Sequence, residues 1–308
     1  MKLVTFRTSE DSVERVGCLR ESLDEIVDLS KSFDSMLTLI DGGSDALAHA
    51  RACLAEARAV VALSEVRLGP PLMPRQMRDM MSFEQHYRQS SEQVARMRFG
   101  VLAPVGIALG LARIPPVWYA QPTYYKCNRF SVIGTHADVR WPSGAKLMDY
   151  ECELAVVIGK PGCDITRERA REHVFGYTIY NDMTARDLQL AEMGARLGPA
   201  KGKDFDTGNV LGPWLVTSDE VDPYALTMIA RVNGEERGRG FSGDMFHRWE
   251  DIIAHVSRSE TLYAGEVLGS GTVGNGCGLE QGRFLAPGDV VELEVTGLGV
   301  LQNRLVRA

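Results

Sequence analysis

The chain has 308 residues, 44% of them hydrophobic and 24% charged, and its 34 Lys and Arg against 41 Asp and Glu give a formal net charge of −7. That length and apolar fraction suffice for a large buried core and exclude intrinsic disorder. An acidic pI near 5.5 without a Lys/Arg stripe excludes nucleic acid, whose phosphates need clustered positive charge, and leaves a small molecule as the expected partner.

No apolar run approaches the ~20 residues of a membrane helix, so no membrane partner is expected. No export signal opens the sequence. Six cysteines (Cys18, Cys53, Cys127, Cys152, Cys163, Cys277) lie scattered without a C-x-x-C pair. They read as reduced thiols, in keeping with a cytoplasmic location.

In chain order, residues 3–6 and 25–29 read as strands, and residues 32–39 and 45–60 as helices. The stretch Gly69-Pro70-Pro71-Leu72-Met73-Pro74 stiffens the backbone and denies it donors. It marks the expected boundary between a small N-terminal α+β domain, residues 1–70, and a larger domain, residues 71–308. Ser82 followed by Gln85 is a capping-box pattern, which predicts a helix from Ser82 with Asp79 in the loop before it and His86 one turn inside.

In Asp149-Tyr150-Glu151-Cys152-Glu153-Leu154-Ala155-Val156-Val157-Ile158, strand alternation puts Glu151, Glu153, Ala155 and Val157 on one face and Tyr150, Cys152, Leu154, Val156 and Ile158 on the other. Two neighbouring carboxylates there repel unless a cation joins them. Taken alone, an E-x-E more often marks a strand start with its acids in solvent. Residues 174–180 then read as a buried strand ending at Asn181-Asp182. A helix over 184–196 follows, with Thr184 as its expected N-cap and Arg186 and Gln189 on one face. Asp182 fits a turn aspartate or a ligand. Lys201 and Lys203 sit on a polar, glycine-containing segment that by default is solvated.

Gly269-Ser270-Gly271-Thr272-Val273-Gly274 fits G-x-G-x-x-G, yet no helix is predicted after it, so it offers no cradle for a pyrophosphate. It reads as a strand end where backbone approaches a ligand closely, with Thr272 and Glu280 nearby. Beyond it, residues 226–232 and 290–295 read as strands, which makes the larger part mostly β.

From about Asp79 onward the sequence resembles the fumarylacetoacetate hydrolase (FAH) family. The motifs that carry this occur in the family's order: Glu151-Cys152-Glu153, Gly176 through Asp187, Lys203-Asp204-Phe205-Asp206-Thr207, Gly271-Thr272 and Pro287-Gly288-Asp289. The resemblance implies an α+β, mostly β fold, an FAH-like mixed β-sandwich roll behind the small N-terminal domain, assembled as a homodimer. It places the metal ligands on Asp79, Glu151, Glu153 and Asp182. His86, Glu280 and Lys203 take the catalytic positions, and Arg186, Gln189, Thr207 and Thr272 the substrate contacts.

An all-oxygen ligand set selects Mg²⁺, Mn²⁺ or Ca²⁺ over zinc. The reading that follows is hydrolysis of a C–C bond in a β-diketone or acylpyruvate-type 2-oxo acid by water that His86 activates. Two alternatives stand beside it: a lyase or isomerase (decarboxylase, hydratase or tautomerase) acting on a 2-oxo dicarboxylic acid, and a non-catalytic metal-binding module. Family members that act on fumarylacetoacetate itself carry tyrosines where this chain has Met81 and Met193, which points to a less polar substrate tail.

Overall fold

The computed structural model describes residues 1–9, 12–56 and 59–307. Among these, a twelve-stranded sheet runs in the order Val60–Ala62, Glu25–Asp28, Arg15–Leu19, Lys2–Thr8, Asn209–Thr217, Val174–Asp182, Cys152–Ile158, Val267–Gly269, Met77–Met80, Tyr124–Lys126, with Val66–Leu68 and Val132–Ile133 attached at its side. A five-stranded sheet is built from Glu235–Phe241, Thr227–Val232, Val290–Val295, Gly299–Arg307 and Asp138–Trp141. Most pairings are antiparallel. Three are parallel: Val267–Gly269 with Met77–Met80, Asn209–Thr217 with Val132–Ile133, and Gly299–Arg307 with Asp138–Trp141.

The alternation in Cys152–Ile158 explains how the layers stack. Its Leu154, Val156 and Ile158 face a core shared with Val291, Leu293 and Val295 of the smaller sheet and with Trp249, Ile252 and Val256 of the helix Trp249–Val256. Ala155 and Val157 face the opposite way, into a core with Leu3, Val27, Leu39 and Ile40. A strand buried on both faces must be apolar on both, and each large aliphatic side chain so buried contributes about 1.5–3 kcal/mol. The first segment is knitted into the same sheet, since Lys2 and Leu3 pair with Val216 and Leu215.

Several expected boundaries move for identifiable reasons. The first helix is Met36–Asp41, because Ser35 caps it by accepting the Thr38 N–H at 3.1 Å. The second is Gly43–Glu56; residues 57 and 58 of the expected helix lie outside the described residues, and Val60 starts a strand. The capping box at Ser82 is not formed. Ser82 N–H donates to Ser270 O, its carbonyl accepts from Phe246 N–H, and the helix begins two residues later as Glu84–Phe99. Thr184 is likewise drawn away from capping. It pairs with Asp149 in a two-stranded ladder and donates its hydroxyl to Asp182 O, so the helix is Arg186–Met193. All six cysteines are free, and among the described residues no helix is long and apolar enough to cross a membrane.

Candidate active site

Register brings the acids together. Pairing of Cys152–Ile158 with Val174–Asp182 sets Glu153 opposite Tyr180, so the acidic start of one strand lies beside the acidic end of the other. Val267–Gly269 adds to the far side of Cys152–Ile158 and sets Gly269 opposite Asp79. Asp79, Glu153 and Asp182 thus each offer an oxygen within 4.8 Å of the other two, all buried.

Glycine makes the approach possible. A Cβ at Gly269 would stand 2.4 Å from Asp79 Oδ1 and 3.0 Å from Glu153 Oε2. The Gly271 N–H donates to the same two atoms, at 3.2 and 3.1 Å, and Thr272 Oγ1 donates to Glu153 Oε1 at 3.4 Å.

Two cations balance part of this charge. Lys203 is buried, contrary to a solvated segment, because residues Ala200–Lys203 form one helical turn that turns its ammonium inward, 2.5 Å from both Glu151 Oε2 and Asp182 Oδ2. Arg186 reaches Glu151 Oε1 at 2.7 Å and Asp149 Oδ2 at 2.7 Å. Burial raises Glu151 while the charges of Arg186 and Lys203 lower it; the cations win and hold it below the usual carboxylate range. Burial, with the charge of Asp182, pushes Asp79 up to about 8. Burial and Asp79 push Glu153 well up, and burial also raises Asp182. Asp182 Oδ1 is buried without any hydrogen-bond partner, while Oδ2 takes Lys203 and the Tyr125 hydroxyl. Three crowded carboxylates that resist ionisation, one with an orphaned oxygen, fit a hard divalent cation.

Next to them lies an imidazole. His86 Nδ1 is 3.0 Å from Glu280 Oε1, and Glu280 itself accepts the N–H groups of Asn275 and Cys277 at 3.1 Å each. His86, Glu151 and Cys277 also offer atoms within 4.8 Å of one another, so Glu151 connects the pair to the carboxylates. Gln189 Oε1 accepts from Arg186 at 3.1 Å. Thr207 is directed elsewhere: its hydroxyl accepts the Arg140 N–H at 2.8 Å.

Three neighbours escaped the sequence reading. Asp149, which accepts from Arg186, stands on the same alternating face as Glu151 and could have been found from that alternation. Tyr125 is placed by its pairing with Asp79 and leaves no local signal. Cys277 stands just ahead of a helical turn, Gly278–Gln281, in a stretch where the sequence predicts no helix.

A mixed two-sheet fold closed around buried carboxylates and an imidazole pair defines an enzyme-like architecture, and comparison gives its family. Residues 80–306 match the family model described as fumarylacetoacetate (FAA) hydrolase C-terminal, and the chain belongs to the FAH family. The chain is 31% identical over 302 residues, 95% of its length and 93% of the relative's, to oxaloacetate tautomerase YisK of Bacillus subtilis (strain 168). It is similar to a solved fumarylacetoacetate hydrolase of the psychrophile Exiguobacterium antarcticum, with 28% identity, TM-score 0.78 and full coverage of both chains. The fold is also that of a maleylpyruvate hydrolase from Sphingobium sp. SYK-6, solved with manganese(II) and pyruvate, at 22% identity, TM-score 0.75 and full coverage of both chains.

Proposed function

We propose that the chain is a divalent-metal-dependent tautomerase that interconverts the keto and enol forms of oxaloacetate or a similar 2-oxo dicarboxylic acid. The observation that carries this reading is the His86–Glu280 pair standing beside the carboxylate cluster. Enol–keto exchange needs one proton carrier next to one polarised carbonyl, and nothing more. Similarity to an oxaloacetate tautomerase over nearly the whole chain supports it.

Asp79, Glu153 and Asp182, with Glu151, would hold Mg²⁺ or Mn²⁺. When bound, the cation supplies Lewis-acid polarisation of the 2-oxo group, which acidifies the adjacent C–H. Glu280 engages Nδ1 of His86, which fixes the ring tautomer and leaves Nε2 to take the C3 proton. The same carboxylate steadies the imidazolium that results. Lys203, held in place by Glu151 and Asp182, directs a fixed positive charge at the oxygen on which the enolate charge develops. In the other direction the imidazolium returns its proton to C3 while the enol O–H gives its own to solvent. Gln189 and Thr272 contact the substrate, Arg186 holds Glu151, and Thr207 fixes its loop through Arg140. Assembly as a cytoplasmic homodimer is part of the same proposal. The less polar tail suggested by Met81 and Met193 does not suit oxaloacetate's second carboxylate, and Met193 is half exposed.

Hydrolysis of an acylpyruvate is the second reading, favoured by the same pair, since an imidazole backed by a carboxylate can also take a proton from water. Oxaloacetate enol, added to protein with Mg²⁺ and followed by its ultraviolet absorbance, separates the two. Metal-dependent loss of the enol without cleavage products supports the tautomerase. Acylpyruvate cleavage that outruns enol loss supports the hydrolase.

A further inference from the structure

We infer that Asp149 is a positioning residue that locks the proton-transfer pair onto the carboxylate cluster, a role that rests on His86 and Glu280 acting as that pair. Asp149 is fully buried and its two oxygens are saturated. Oδ1 accepts the N–H of Tyr150 at 2.9 Å and of Gly278 at 2.7 Å; Oδ2 accepts the N–H of Leu279 at 2.8 Å and Arg186 Nε at 2.8 Å, with Nη2 2.7 Å away.

Gly278 and Leu279 open the helical turn Gly278–Gln281, where the first N–H groups have no partner within the helix. Glu280 is the next residue. The same Nη2 of Arg186 also reaches Glu151 Oε1, at 2.7 Å. One carboxylate therefore sets both the direction from which Glu280 meets His86 and the place of Glu151. The fit is close enough that a Cβ at Gly278 would stand 2.6 Å from Asp149 Oδ1.

Asp149→Asn keeps the shape but turns one acceptor into a donor that faces N–H groups, so the turn or Arg186 must swing away. The experiment compares wild type, Asp149→Asn, Glu280→Gln and the double variant, all loaded with Mg²⁺, in kcat, KM and the NMR signal of the His86 Nδ1 proton. That signal is identified by its absence from His86→Gln. The expected result is a kcat lowered ~100-fold, KM changed less than about threefold, and the His86 signal lost or moved in Asp149→Asn. Added to Glu280→Gln, the same change lowers kcat less than about threefold, because both act through one pair. Wild-type kcat, an unmoved signal or additive losses would overturn the inference. If Asp149→Asn does not fold, hydrogen exchange in the wild type decides: slow exchange of the Gly278 and Leu279 amides supports the lock, and exchange at the rate of free peptide overturns it. If the wild type fails to exchange enol and keto forms, the functional reading falls, while the proton signal and amide exchange still test Asp149.

Discussion

His86 Nδ1 and Glu280 Oε1 meet at 3.0 Å although 194 positions separate them along the chain. The Glu84–Phe99 helix carries one and the Gly278–Gln281 turn the other. Both side chains are almost completely buried, where such a pair holds a single geometry and a single tautomer. Glu280→Gln removes the charge that steadies the imidazolium while it keeps the shape. Its kcat should fall ~100-fold with metal affinity unchanged, and His86→Gln should fall at least as far, as expected for loss of a general base. Steady-state kinetics beside a Mn²⁺ titration check both, and an unimpaired Glu280→Gln would remove the pair from the mechanism.

Gly269→Ala probes the carboxylate cluster without altering any carboxylate. Its new methyl would press on Asp79 and Glu153, so the oxygens must separate. Mn²⁺ affinity, measured by calorimetry, should weaken by roughly 10–100-fold, the scale of a disturbed ligand environment. Unchanged affinity would place the cation elsewhere.

Lys203→Met removes the ammonium between Glu151 and Asp182. Breaking one side of a buried ion pair costs about 3–5 kcal/mol. The metal-free variant should therefore melt well below the metal-free wild type. Added Mg²⁺ should recover much of the difference, since it supplies the missing positive charge, but not the activity. Thermal denaturation with and without Mg²⁺ reads this directly.

Without metal, stability should fall as pH rises. Asp79 stands at about 8 in the folded chain against its ordinary 3.8, and Glu153 and Asp182 are raised too. Between those limits the unfolded chain releases protons that the folded chain keeps, so each pH step favours unfolding, and the loss from Asp79 levels off above about pH 8. Glu151 is held low, so its contribution is already complete in this window and does not add to the slope. Metal displaces the protons and reverses the trend. The melting-temperature gap between Mg²⁺-loaded and EDTA-treated protein should widen from about pH 5 to about pH 8; a constant gap would contradict the buried, proton-holding cluster.

What could be read from sequence was what depends on local period. The alternation from Tyr150 to Ile158 reproduces the two faces found for Cys152–Ile158 in the two cores. The absence of a long helix after Gly269-Ser270-Gly271 is real, with only the short turn Gly278–Gln281 in its place. Local capping rules failed where tertiary bonds competed. Ser82 is held between Ser270 and Phe246, and Thr184 is tied to Asp182 O, so neither caps a helix. Lys203 looked solvated because its neighbours are polar, and only the fold reveals two buried carboxylates opposite it. Arg186 reads as a substrate contact from its motif, yet its guanidinium is already engaged by Asp149 and Glu151. Tyr125 was invisible because strand pairing, not sequence distance, brings it to Asp182.

The most direct test of the proposed activity follows the decay of oxaloacetate enol on wild-type protein with Mg²⁺, with EDTA, and on His86→Gln with Mg²⁺. The expected result is fast enol loss only in the first case, with deuterium from the solvent appearing at C3 and no C–C cleavage. Enol loss at the solvent rate in all three, or loss that persists in His86→Gln, would contradict it.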